Sequence, residues 1–302
     1  MTEKDKQEVI RSINSLLNER YIFPEVAREM TDMIHSNYTE GTYSKMTKGE
    51  EFAKVLTKDL LSVSKAKHLR VTFDPKKILE IKEAENSNDQ KAIRYLQMEN
   101  MRKSNFDFRE VTILEGNTGH IHLTIFFHTE LAGGTTISAM DKVKNTDELI
   151  IDLRKNGGGS PSMIQLLSSY FFQKPVHLNS FYFRPTNSYQ ETWTLDQVKG
   201  KKRPDVPIYI LTSNYTFSAA EEFTYNLKNL KRATIIGEVT GGGAHPGGSM
   251  IVNDRFMVWI PTGRAINPIT NTNWEGAGVI PDIEVSADMA LEIALKMAIQ
   301  KS

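Results

Sequence analysis

Ser218 is the residue around which a chemistry can be built. An apolar run, Val206 to Leu211, leads into Thr212-Ser213-Asn214-Tyr215-Thr216-Phe217-Ser218-Ala219-Ala220-Glu221-Glu222. Phe223, Leu227 and Leu230 then follow at helical spacing. Strand, tight turn and helix would put the Ser218 hydroxyl at a sheet end, under unpaired backbone N–H groups and the positive end of a helix dipole. An attacking alkoxide and a tetrahedral oxyanion need that environment. Ser is also a common helix N-cap, so the stretch alone leaves both readings open.

A nucleophilic serine requires a base, an orienting group and oxyanion donors. Asn156-Gly157-Gly158-Gly159 follows another apolar run, Leu149 to Leu153. It lacks the lysine-serine signature of a phosphate loop and the dinucleotide glycine pattern. Bare glycine backbone instead allows close approach of a carbonyl, with Gly157 or Gly158 N–H as one donor and Ala219 N–H as the second. Among the histidines, His120 and His122 share a strand face but have no third ligand at a convincing spacing, so no metal is expected. His68, at the start of a short strand, and His245, in the loop Gly241-Gly242-Gly243-Ala244-His245-Pro246, remain as bases. A histidine in either place can equally be structural. Glu275, between Trp274 and Gly276, is a candidate third group or an ordinary loop acid.

The elements that must position these residues follow from periodicity. Val9, Ile10, Ile13, Leu16 and Leu17 form one helical stripe; Val26, Met30, Met33 and Ile34 a second, after Pro24; Phe52, Val55, Leu56, Leu60 and Leu61 a third. They predict a small helical bundle. Leu69, Val71 and Phe73 alternate as a strand. Residues 76 to 103 are charged with few apolar anchors, among them Ile78, Ile81, Ile93 and Leu96. From Phe106 the period becomes two, Gly116-Asn117 marks a turn, and strand-helix-strand order recurs to a closing helix at Met289–Ala298. This order predicts an α/β fold with a mainly parallel sheet. The expected domains are a helical domain at 1–75 ending in the His68 strand, a helical connecting segment at 76–105, and a catalytic α/β domain at 106–302.

Bulk composition sets the outer limits. The 302 residues contain 37 Lys+Arg and 37 Asp+Glu, a balance that calls for neither nucleic acid nor an anionic membrane as partner. The chain has no cysteine, which excludes disulfides, thiolate metal sites and a cysteine nucleophile. The charged start Met1-Thr2-Glu3-Lys4 has no apolar signal core, so the chain as written is expected in the cytoplasm. A chain trimmed at its N-terminus would instead be an exported one.

Several stretches together resemble the tail-specific, or C-terminal-processing, serine peptidases, in the branch of interphotoreceptor retinoid-binding protein and the tricorn protease core. They are Lys67-His68-Leu69-Arg70-Val71, Gly116 to Ile121, Asp152 to Gly159, Thr216 to Glu221, Gly237 to Pro246 and Trp274 to Asp282, in the family's order and across nearly the whole chain. The resemblance implies a crotonase-like α/β core behind a helical domain. It places the nucleophile at Ser218, the general base at His68, the steering carboxylate at Glu275, and the oxyanion donors at Gly157 or Gly158 and at Ala219. His245 becomes an alternative base or a substrate contact. The implied substrate is a peptide or unfolded protein, with no cofactor. Two departures narrow the expectation. The second glycine loop has no lysine, which disfavours a Ser-Lys dyad, and the interval from Asp74 to Asp107 is too short for the PDZ module often inserted there. Lys67, beside His68, would favour the neutral imidazole. The rival reading is a non-catalytic carrier of an apolar ligand, with Phe181, Tyr182, Phe183, Tyr189 and Trp193 lining a cleft. An acyl-CoA enzyme on the same fold is a weaker third.

Overall fold

The computed structural model describes residues 1–86, 99 and 101–300. The chain forms two compact units. The first comprises Met1–Arg94, Phe181–Tyr189 and His245–Arg264; the second comprises Tyr95–Ser180, Gln190–Ala244 and Ala265–Ser302.

In the first unit the three predicted stripes become helices α1 (Glu3–Arg20), α2 (Pro24–Thr39) and α3 (Gly49–Ser64). Pro24 opens α2, where its missing N–H costs nothing. Val9, Ile13, Leu17, Met30, Ile34, Phe52, Leu56 and Leu60 are buried together as one core. Gly49, expected in a connection, is the first residue of α3 and lies under the Phe73 ring. Strand β1 (Arg70–Phe73) starts two residues later than expected, so His68 lies in the turn before it. Helix α4 (Pro75–Asn86) follows; the expected anchors Ile93 and Leu96 lie outside the described residues. β1 pairs antiparallel not with a sequence neighbour but with β10 (Phe256–Pro261), Arg70 opposite Trp259, and β10 pairs with β9 (Gly247–Ile251). Val71, Phe256, Val258 and Ile260 complete the helical core.

The second unit is built on a six-stranded sheet. Its strands are β2 (Phe108–Leu114), β3 (Thr118–Leu123), β4 (Glu148–Asp152), β7 (Ile208–Thr212), β8 (Thr234–Gly237) and β12 (Ile283–Glu284), in the order β12-β8-β7-β4-β3-β2. All neighbours are parallel except the β2–β3 hairpin, which turns at Gly116-Asn117. Apolar alternation splits the strands between two faces. Leu149, Ile151, Ile208, Ile210 and Ile235 pack under helices α5 (Thr129–Lys142), α6 (Pro161–Ser169) and α7 (Ala219–Asn229). Ile150, Tyr209, Leu211 and Ile236 pack under α8 (Ala290–Ile299) through Ala290, Ala294 and Ala298. A further three-stranded sheet has the order β11-β5-β6, from β5 (His177–Phe183), β6 (Ser188–Trp193) and β11 (Gly263–Ile266). No described helix is long and apolar enough to cross a membrane.

Candidate active site

The parallel register brings three strand ends side by side: Asp152 lies opposite Leu211, and Thr212 opposite Gly237. The loops leaving β4, β7 and β8 therefore start from one edge of the sheet, its carboxyl edge, where open α/β folds place their sites. Hydrogen bonds stitch these loops together. Ser213 Oγ donates to Arg154 O (2.5 Å), Thr216 Oγ1 to Leu153 O (2.9 Å), Phe217 N–H to Asn156 O (3.1 Å) and Gly241 N–H to Thr216 O (2.9 Å).

Ser218 is the residue just before α7, an N-cap by position. Its backbone is not that of an ordinary cap, which is extended. It has φ 55° and ψ −119°, a region a non-glycine residue seldom occupies. The sharp turn between β7 and α7 thus carries its strain on the one half-buried serine. Ala219 is the first residue of α7, so its N–H has no partner within the helix.

Gly158 lies against this turn. With φ +111°, it places the direction of a side chain onto Ser218: a Cβ there would meet Ser218 Cβ at 2.8 Å, Phe217 O at 3.0 Å and Ala219 N at 3.2 Å. Only glycine fits. Both candidate glycine donors have acceptors of their own. Gly158 N–H donates to Asn156 Oδ1 at 2.9 Å, and Gly157 N–H to Thr124 O at 3.3 Å. Asn156 is fully buried, and its Nδ2 donates to Leu123 O at 2.9 Å, so it shapes the whole glycine turn. Below the loop, burial pushes the Asp152 carboxyl up, but the neighbouring His120 and the hydrogen-bonded Arg154 override this and hold it well below the usual carboxylate range. His120 is 3.6 Å from Asp152, and burial lowers His122. Among the described residues no group of three or more side chains is arranged to hold a metal.

The third loop, residues 238–244, packs on the Glu275 segment. Glu275 Oε2 accepts from Ala244 N–H at 2.6 Å, Trp274 Nε1 donates to Gly243 O at 2.9 Å, and Gly276 N–H to Gly242 O at 2.8 Å. Glu275 therefore braces the glycine loop. The residue that ties this loop to the serine is one that the sequence analysis did not single out. Glu221 is fully buried, accepts from Ser218 N–H at 2.8 Å, and also from Gly242 and Gly243 N–H at 2.6 and 2.8 Å. Its signal was present as the Ser-x-x-Glu spacing of a capping box.

The second unit thus gathers Ser218, Ala219, Gly157, Gly158 and Glu275. His68 and His245 belong to the first unit. There His68 stacks on the indole of Trp259, ring centroids 4.7 Å apart at 22°, and is half-buried. His245 is buried and meets the Phe23 ring edge-on at 5.3 Å.

Residues 117–285 match the model of peptidase family S41, and residues 2–107 match the N-terminal domain of the S41 peptidase in eukaryotic IRBP. Three solved structures share the fold. A candidate peptidase from Parabacteroides merdae ATCC 43184 has 17% identity and a TM-score of 0.66, over 98% of this chain and 97% of that one. The photosystem II D1 C-terminal processing protease has 13% identity and a TM-score of 0.57, over 96% and 94%. The tricorn protease has 14% identity and a TM-score of 0.60, over 98% of this chain and 37% of that one. With its family model spanning more than half its length, the chain belongs to peptidase family S41, a family of serine peptidases.

Proposed function

We propose that the protein hydrolyses peptide bonds through an acyl-enzyme, with Ser218 as nucleophile and His68 as general base. The observation that carries this reading is the serine itself, held at φ 55° where three strand-end loops meet. An ordinary cap has no reason to store that strain. His68 accepts the Ser218 proton as the hydroxyl attacks the carbonyl carbon. The oxyanion is held by Ala219 N–H and by one glycine N–H. Gly157 is the favoured glycine, because it is exposed and gives up the longer hydrogen bond. His68 then protonates the leaving amine, and water hydrolyses the ester. Stacking on Trp259 fixes the plane of the His68 ring, as a base that must meet one hydroxyl requires. His245, buried against Phe23, is the alternative base. Glu275 acts through the loop it braces.

We further infer that the second unit is a crotonase-like core and that no PDZ module interrupts the chain. The domains run 1–75, 76–105 and 106–302, with Phe181–Tyr189 and His245–Arg264 as excursions of the last into the first compact unit. Peptides or unfolded proteins are the substrate class that this chemistry implies.

A fluorophosphonate probe tests the nucleophile. Mass mapping is expected to find one label, on Ser218. Ser218→Ala is expected to abolish labelling and lower peptide turnover by roughly 10⁴-fold or more. A wild-type chain inert to the probe would favour a binding protein, and activity retained by the alanine variant would remove the assignment.

A further inference from the structure

We propose that Glu221 is a positioning residue for Ser218, one that holds the nucleophile turn and the second glycine loop in a single arrangement. The inference rests on Ser218 being the nucleophile. Four donors converge on this one carboxylate. Oε2 accepts from Ser218 N–H and Gly243 N–H, both at 2.8 Å; Oε1 accepts from Gly242 N–H at 2.6 Å and from the Thr240 hydroxyl. The side chain is fully buried, so each of these bonds is made without competition from water.

The bond to Ser218 N–H fixes the peptide plane on which the φ of Ser218 turns. The other three bonds fix residues 240–243. That loop in turn supports the serine turn, because Gly241 lies directly under the Phe217 ring; a Cβ there would stand 2.8 Å from it. The carboxylate thus ties the strained residue to the loop that Glu275 braces from its far side.

The chemistry of the site requires an acceptor at both oxygens. A glutamine has one acceptor and one donor. In one orientation of its amide the NH₂ faces two obligate donors, Ser218 and Gly243 N–H; in the other it faces Gly242 N–H, and only the Thr240 hydroxyl can turn to accept from it. The outcome is displacement of a turn that has no slack, and misplacement by about 1 Å at a reacting atom costs about 10²-fold in rate.

Fluorophosphonate inactivation kinetics of Glu221→Gln separate positioning from simple support of the fold. If Glu221 positions Ser218, labelling still runs to one probe per chain, but the inactivation rate constant falls about 10²-fold while the half-saturating probe concentration stays near the wild-type value. If Glu221 only stabilises the fold, the labelled fraction falls and the surviving fraction reacts at the wild-type rate; that result, or a wholly wild-type rate, overturns the proposal. Should the glutamine variant fail to unfold cooperatively, Thr240→Val serves instead. It leaves the carboxylate and removes one of its anchors, and an unchanged rate constant there overturns the proposal as well. Failure of the underlying reading is seen separately, in a wild-type chain that labels elsewhere than Ser218.

Discussion

Ser218 occupies a backbone region that costs of order 1–3 kcal/mol for a residue with a Cβ. That cost persists because the neighbours leave no alternative. Gly158 fills the space beside it, and Glu221 holds its N–H. Gly158→Ala probes this directly. The added methyl would need a φ of +111° and would stand 2.8 Å from Ser218 Cβ. Displacement of the serine is the cheapest relief, so peptide turnover and probe labelling are both expected to fall about 10²-fold or more. Near wild-type turnover would mean that the glycine turn does not bear on the nucleophile. Residue types and spacing marked the strand–turn–helix at Ser218 and the glycine turn as places where a site could form, but a serine between an apolar strand and an amphipathic helix reads equally as an ordinary N-cap. They did not reveal Glu221. A Ser-x-x-Glu spacing reads as a capping box, and only the folded chain shows that the same carboxylate also reaches Gly242 and Gly243.

Helix α7 carries a second acid, one position further on. Glu222 is buried, and this burial pushes its carboxyl up to about 8, against the opposing pull of the Asn179 and Asn226 side chains. A folded-state pKa above the ordinary glutamate value means that the folded protein holds this proton more tightly than the unfolded chain. The stability it contributes is therefore full below the ordinary glutamate range and is lost as pH rises toward about 8. Glu222→Gln keeps the shape and removes the titration. Thermal unfolding is expected to show wild-type Tm falling between about pH 5 and about pH 8.5 by more than it falls in the variant. Parallel pH curves would place the Glu222 proton elsewhere. At this scale the sequence was informative wherever one face is apolar. The stripes of α1 to α3, the buried runs of β4 and β7, and the closing helix all lie within a few residues of their expected places. It was least informative at 181–193, where the aromatic residues pointed to the lining of a cleft rather than to strands. β6 is exposed along almost its whole length, so it has no apolar face for alternation to mark.

At the scale of the whole molecule, the proposed nucleophile and the proposed base come from different compact units. The pattern of apolar residues specifies which face of a strand is buried, not which distant strand it will pair with. That is why the union of β1 with β10, Arg70 opposite Trp259, was not legible, although the alternation of Leu69, Val71 and Phe73 in β1 was. The same pairing supplies the indole on which His68 stacks, so the ring's setting is a product of long-range assembly. If His68 and Ser218 act as one unit in proton transfer, their losses cannot add. Each single alanine variant removes the same activated alkoxide, and what survives is the binding and oxyanion contribution common to all of them. Ser218→Ala and His68→Ala are each expected to lower kcat/KM by roughly 10⁴-fold, and the double variant by no more than about the larger single loss. Steady-state turnover of an unfolded protein or peptide substrate, with Tm measured on every variant, is the check. Multiplying losses would mean that His68 serves the enzyme independently of the serine. The double variant of Ser218 with His245 would then be the one expected to show losses that do not multiply.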